Sequence, residues 1–236
     1  MMAQRWNQKG SVIILSETTD EPISLIGQMA GICYGTDTTN QEKNYKRGLD
    51  CIKSNHGRAL EFPKIYMVLS GWSAKCIREL YTHIIDTTRL QASTRYIDYT
   101  NFEYITPPTI EANDEANKIY SDTMAAIAAA MGRLAALGIP KEDYSGLLPL
   151  NYETKIVWEV GFRELIAVMS VRKCSRAYHE IRKLMKKIEE ALAIYSDEWK
   201  FLVEDMNIFK IKCEYNQICE EKFGCGRYPK REDTNA

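Results

Sequence analysis

The sequence predicts a single α+β domain, on three observations. Short runs rich in strand formers at 12–15, 64–69 and 154–160 alternate with segments whose apolar residues recur at helical spacing. No internal repeat recurs, and no linker is long enough to divide a chain of 236 residues, a length that suits one large domain. With 45% hydrophobic and 27% charged residues, the composition is that of an ordinary soluble chain and excludes a disordered polyampholyte or a fibrous repeat.

Val12-Ile13-Ile14-Leu15 reads as a buried strand. Behind it, Thr18, Thr19 and Asp20 offer capping side chains and Pro22 suits a first helical turn. Ile23, Leu25, Ile26 and Met29 then share a helical face that Gly35 ends, and a more polar helix is expected over 41–54. Residues 64–69 form a second strand with Gly71 punctuating its end, and Ser73 is placed to cap a helix holding Cys76, Ile77, Leu80 and Tyr81. From 86 to 99 the chain is polar and has neither a helical nor a strand period; Pro107 and Pro108 close that block.

The most regular helix follows. Tyr120, Met124, Ile127, Met131 and Leu134 make one apolar stripe, stopped by Gly138 and Pro140, and Arg133 is expected to face solvent. A strand over 154–160 and a helix over 162–171 come next. Ser175 is then expected to cap an amphipathic helix running through Ala177, Ile181, Leu184, Ile188 and Leu192. After Lys210 the chain is polar and cysteine-bearing, and Gly224, Gly226 and Pro229 argue against regular structure. The expected division is a domain over 1–210 and a polar tail over 211–236.

Charge and cysteine usage bound the partners. With 31 basic against 32 acidic residues the formal charge is −1, so no global field draws in nucleic acid and any anion site is local. The alanine-rich stretch 124–139 is interrupted by Arg133 and too short to span a bilayer, so no membrane partner is expected. The opening MMAQRWNQKG has no apolar core and is not expected to be a secretory signal. Seven cysteines, Cys33, Cys51, Cys76, Cys174, Cys213, Cys219 and Cys225, are odd in number and dispersed, which suits a reducing, cytoplasmic compartment.

Between Arg78 and Arg95 lie Glu79, His83, Arg89, Gln91 and Ser93, a polar stretch flanked by well-patterned elements, where loops carry function. Arginine forks match phosphate oxygens, and Ser93-Thr94-Arg95 has the donors of a phosphate cradle; a plain solvated loop is the competing reading. Downstream, Arg172 sits among Val168, Met169 and Val171, where a guanidinium needs an anionic partner, either a ligand or Glu164 or Glu180. On a continuous helix Arg172 and Arg176 would share a face. The three histidines, His56, His83 and His179, lack metal-binding spacing, and the tail cysteines lack C-x-x-C pairs, so no metal site is expected; a zinc site in the tail would need a fourth ligand. Glycine-rich phosphate loops and nucleophile elbows are absent as well. The residues by themselves point to a phosphate-bearing ligand.

Two blocks resemble the flavin-dependent thymidylate synthase family. One is Leu147-Leu148-Pro149-Leu150-Asn151, the strand residues 152–160, Gly161-Phe162-Arg163-Glu164-Leu165, Val171-Arg172, and Ala177-Tyr178-His179-Glu180-Ile181-Arg182. The family has in that order an L-P-x-N opening, an aromatic strand, an arginine-bearing helix, a second arginine and A-Q-x-E-I-R. The other block is similar to the family's R-H-R … S-x-R-Y signature. Here it reads Thr82-His83-Ile84, eight residues, then Ser93-Thr94-Arg95-Tyr96, with a spacer one residue longer than the family's. His56, followed by Glu61, resembles the segment that opens the family's flavin site. The chain departs from the pattern at Thr82 and Ile84, which replace both signature arginines, and at Gly161 and Ala167, which replace asparagines. Tyr144-Ser145 stands where the family has A-R, and Tyr178 where A-Q has its glutamine.

The resemblance implies a central, mostly antiparallel sheet packed by helices and a homotetramer with sites between subunits. It also implies FAD reduced by NADPH, and methylenetetrahydrofolate supplying one carbon to C5 of dUMP to give dTMP. In that frame Ser93, Thr94 and Arg95 hold the dUMP phosphate and sugar. Gln91 lies between flavin and nucleotide, and Glu79 replaces a substrate-contacting glutamine. Arg172 is the catalytic cation at the pyrimidine edge. His56, His83 and Arg163 contact FAD, and Arg78 and Arg89 flank the missing arginines and stand in for their charge. Two readings stay open beside this one: a related flavoenzyme that methylates or hydroxymethylates another pyrimidine nucleotide, and a non-catalytic nucleotide- or metal-binding module.

Overall fold

The computed structural model describes residues 9–231; MMAQRWNQ at the start and the last five residues of the expected tail lie outside them. The element order is β1 (Ser11–Ile14), α1 (Pro22–Cys33), α2 (Gln41–Lys53), a 3₁₀ turn at Ala59–Glu61, β2 (Lys64–Ser73), α3 (Ala74–Leu80) and β3 (Thr87–Gln91). Then follow α4 (Pro108–Glu111), α5 (Asp114–Ala136), α6 (Lys141–Tyr144), β4 (Glu153–Gly161), α7 (Phe162–Arg172), α8 (His179–Tyr195), α9 (Asp197–Lys200) and α10 (Lys212–Asn216).

One sheet runs in the order β1-β2-β4-β3. Each neighbouring pair is antiparallel, because backbone bonds rise along one strand as they fall along the other. Gly10 pairs with Gly71 and Leu15 with Tyr66; Phe162 pairs with Pro63 and Ala74 with Tyr152; Gly161 pairs with Asp86 and Ala92 with Lys155. The α+β class and the antiparallel sheet therefore stand as expected. β2 is central, and its residues 67–73 are all buried. β4 alternates, burying Thr154, Ile156, Trp158 and Val160 while residues 153, 155, 157 and 159 are less covered, the period of a strand with one apolar face.

Three local expectations are corrected. β2 does not end at Gly71: this glycine adopts φ +69° inside the strand, a left-handed conformation that only glycine takes at no steric cost. β3 falls in the block that lacked a period, because an edge strand of Thr87, Thr88, Arg89, Leu90 and Gln91 has no fully buried position. Ser175 caps nothing: α8 starts at His179 after Tyr178, with no side-chain cap, since Ala177 N–H bonds back to Cys174 and makes residues 174–177 a turn. α7 thus stops at Arg172, and Arg176 shares no helical face with it. In the tail, α10 is a five-residue helix where none was expected. Ser73, by contrast, does accept from Cys76 N–H, at 3.0 Å.

The chain divides into two compact units. The first takes the described residues up to Ser11, Leu69–Glu79 and Leu90–Ile156; the second takes Val12–Val68, Leu80–Arg89 and the described residues from Val157 onward. In the first, Met124 and Met131 of α5 pack with Tyr99, Phe102, Tyr144 and Tyr152, and the Tyr99 and Tyr152 rings meet edge to face at 5.3 Å. Asn113 caps α5 by accepting from Ala116 N–H at 2.9 Å, and Arg133 is exposed.

The second unit buries Ile65, Met67, Trp158 and Phe162 with Ile23 and Ile26 of α1, Leu165 of α7, Ile181, Leu184 and Ile188 of α8, and Trp199. Helices α1 and α2 touch backbone to backbone: a Cβ on Gly27 would lie 1.8 Å from Asn44 O, and one on Gly48 1.9 Å from Ile23 O. Among the described residues no helix is long and apolar enough to cross a membrane.

Helix α1 has no local side-chain cap. Its cap comes from Glu198 in α9, whose Oε2 accepts from Ile23 N–H at 2.6 Å and Ser24 N–H at 3.1 Å, while Oε1 accepts from the Ser24 hydroxyl. Glu198→Ala strands these donors in a half-buried site and is expected to cost about 1–3 kcal/mol. Urea unfolding measures it as a lower midpoint at unchanged slope, with Glu198→Gln losing less.

Candidate active site

In the second unit, β4 ends at Gly161 and α7 begins at once, which sets Arg163 in the first turn of the helix. Its guanidinium pairs with Glu61 of the 3₁₀ turn. It also lies against Gly57, where a Cβ would be 2.9 Å from its Cζ. The segment led by His56 and the helix arginine, matched separately in the sequence, are thus brought together; His56 itself is exposed. Beside them opens a cleft of about 630 Å³ walled by Glu61, Lys64, Asp86, Arg163 and Glu164.

Asp86 precedes β3 in the left-handed region, φ +46°, a conformation that Asp tolerates better than most residues. One carboxylate oxygen pairs with Lys64. The other, Oδ2, is buried without a hydrogen-bond partner and rests on Gly161, where a Cβ would sit 1.6 Å away.

A second cluster gathers at the end of α7. Arg172 donates from Nε to His83 Nε2 at 3.1 Å and from Nη2 to the Thr82 hydroxyl at 2.7 Å. On the other side of the ring, His83 Nδ1 faces Glu164 Oε1 at 3.7 Å. Arg89 reaches back from β3 to donate to the carbonyls of Leu80 and His83 and stacks over the Tyr81 ring at 4.9 Å. Burial lowers the pKa of Arg89, and burial together with Asp86 raises that of Glu164 against the opposing pull of Arg89.

The remaining expected residues belong to the first unit. Gln91 donates to the Thr154 hydroxyl at 3.3 Å. Ser93 Oγ accepts from Arg95 N–H at 3.2 Å, and the exposed Arg95 side chain pairs with Glu142 at 2.7 Å. Thr94 is partly exposed beside them, Arg78 is exposed on α3 and Glu79 partly buried.

The tail thiols form no centre of this kind. Among the described residues no group of three or more His, Cys, Asp or Glu side chains is arranged to hold a metal ion. Cys213 hydrogen-bonds with Cys219, and burial pushes its thiol up, away from the reactive thiolate.

The model of the family described as "Thymidylate synthase complementing protein" matches residues 14–194. The chain belongs to this family. Among its relatives, the flavin-dependent thymidylate synthase of Geobacter sulfurreducens is 30% identical over 181 residues, covering 73% of this chain and 78% of the relative. That of Nitratidesulfovibrio vulgaris is 27% identical over 236 residues, covering 91% and 94%. The fold is shared with flavin-dependent thymidylate synthase ThyX from Helicobacter pylori, solved with FAD and dUMP. That structure superposes with a TM-score of 0.65 at 19% identity, covering 83% of this chain and 98% of that one.

Set in the thymidylate synthase complementing protein family, two departures acquire a structural reason. Gly161 stands at an asparagine of the pattern because Asp86 occupies the space a side chain would fill. Thr82 stands at a signature arginine, and its hydroxyl binds Arg172, a contact that a second cation would turn into repulsion. Sequence reasoning registered Thr82 as a loss and missed Lys64 and Asp86 altogether; they lie apart in sequence, and only the spacer one residue longer marked the place. Glu164, one of the two carboxylates that the sequence offers to Arg172, faces His83. Gly161→Asn alone is expected to overpack the site and cost about 1–3 kcal/mol. Combined with Asp86→Gly most of that loss is recovered, which a double-mutant cycle on thermal unfolding reads as non-additivity.

Proposed function

We propose that this chain is a flavin-dependent thymidylate synthase, transferring one carbon from methylenetetrahydrofolate to C5 of dUMP with FAD as hydride source and NADPH as its reductant. The reading includes a cytoplasmic homotetramer with sites between subunits, and a catalytic domain over 1–210 to which 211–236 is an appendage. The observation that carries it is the pairing of Arg172 with His83. These residues come from two separate family motifs, 89 positions apart, and meet at 3.1 Å.

The residues present suit FAD. Arg163, with 54% of its side chain exposed, and Lys64 supply the positive charge that a diphosphate requires, each exchanging its carboxylate, Glu61 or Asp86, for the phosphate oxygens. The bare Gly57 backbone lets the guanidinium lie flat beside the cleft. When bound and reduced, the flavin supplies the hydride for the transferred carbon.

The chain's own residues do the rest. Arg172 sets a fixed positive charge at the pyrimidine edge, where negative charge builds as C5 becomes nucleophilic, and Thr82 and His83 hold that guanidinium in place. Ser93, Thr94 and Arg95 receive the dUMP phosphate, Arg95 exchanging Glu142 for it; Gln91 and Glu79 complete the nucleotide contacts. His56, His83, Arg78 and Arg163 serve the flavin, and Arg89 serves it by fixing the backbone of His83.

An absorption spectrum of the freshly purified protein, before and after adding FAD and dUMP, tests the reading. Flavin bands perturbed by dUMP are expected, and a protein that cannot be loaded with FAD would refute it. Arg172→Ala is expected to lower turnover about 10²–10³-fold with flavin retained. Arg163→Ala is expected to weaken flavin binding about tenfold, the worth of one charge-assisted hydrogen bond. Equal flavin loss in both variants would contradict this division of roles.

A further inference from the structure

Every nitrogen of the His83 ring is turned toward a charged side chain, and the chemistry of those two neighbours fixes where its proton resides. Arg172 is permanently cationic and has donors only. Its Nε–H points at His83 Nε2 at 3.1 Å, so Nε2 must present a lone pair. A neutral imidazole then carries its single proton on Nδ1, and that nitrogen faces Glu164 Oε1 at 3.7 Å. The ring cannot turn over without setting an N–H against the guanidinium. Its backbone is pinned as well, since Arg89 donates to His83 O.

We propose that Glu164 is a positioning residue: its carboxylate holds His83 in the Nδ1-protonated tautomer, which leaves Nε2 free to accept from Arg172 and so aims the guanidinium. The consequence for nucleotide chemistry rests on the reading of Arg172 given above; the tautomer itself does not. Glu164 is suited to the task by its place. It is one residue past Arg163 on α7, and eight before Arg172 on the same helix, so one rigid element carries both the orienting carboxylate and the cation. The two facing side chains are closed to bulk water, with 16% of His83 and 12% of Glu164 exposed, and an electrostatic contact there is weakly screened. Burial and the Asp86 charge push the pKa of the Glu164 carboxyl up, and Arg89 pulls it back toward the ionised form.

The test reads the tautomer directly. Full-length protein labelled with ¹⁵N-histidine gives two-bond ¹⁵N–¹H imidazole correlations, with His83→Gln assigning the signal. In the wild type, Nδ1 is expected to show the shift of a protonated ring nitrogen and Nε2 that of an acceptor. In Glu164→Gln, Nδ1–H loses its carboxylate, and the other tautomer, which gives up the bond from Arg172, is expected to become populated, with kcat falling about tenfold, the low end for losing an imidazole-orienting partner, while flavin retention is unchanged. Glu164→Asp, which keeps the charge on a shorter arm, is expected to recover part of both. An Nε2-protonated ring in the wild type overturns the proposal, whether or not the variants fold, as does a Glu164→Gln signal identical to wild type. A wild type with the expected tautomer that takes up neither FAD nor dUMP overturns the function and leaves the tautomer assignment standing.

Discussion

A helix that begins without a cap of its own must borrow one, and in this chain the loan spans most of the sequence. Glu198 closes the open N–H groups of α1 from a position 175 residues away, with the Trp199 indole beside it donating to Thr19 O at 2.7 Å. Those contacts settle α1, and α1 settles α2 through an approach so close that neither Gly27 nor Gly48 can carry a side chain. From the end of α2 the chain has only a few residues before His56, Gly57 and Glu61, so the surface on which Arg163 lies is set by packing far from it. The cleft of the second unit is downstream of a capping bond.

The same logic explains what was legible in the sequence and what was not. Elements with an apolar period were readable: β4 alternates because it has one buried face, and Tyr120, Met124, Ile127, Met131 and Leu134 fall on one side of α5. β3 was not, because an edge strand has one paired neighbour and exposes Leu90. The cap of α1 was sought in Thr18 to Asp20 and lies instead in α9. Local signals for Ser73 and Ser175 were equally good, yet only the first caps a helix, since the turn after α7 takes up the second.

For the site, the residue types were legible and their partnerships were not. The segment from His56 to Glu61 and the helix residue Arg163 carry separate parts of the resemblance, and Arg163 lies against Gly57 and Glu61 of that segment. Arg172 needs partners for its guanidinium, and a hydroxyl and an imidazole nitrogen are among them. Arg89, marked for its charge, spends its donors on backbone carbonyls. Pairings of this kind join positions tens of residues apart, and no periodicity encodes them. Thr82, where the resemblance has a signature arginine, supplies an acceptor for Arg172.

The tethering of Arg172 has a consequence for conformational entropy. A free arginine on a helix end samples many rotamers, and freezing a long side chain on binding costs about 0.5–1.5 kcal/mol. Here Thr82 and His83 hold the guanidinium by two of its donors, so that the ordering is done when the chain folds. An arriving anionic group meets a cation with few alternatives left to surrender, and the fork is rigid enough to discriminate by shape as well as by charge.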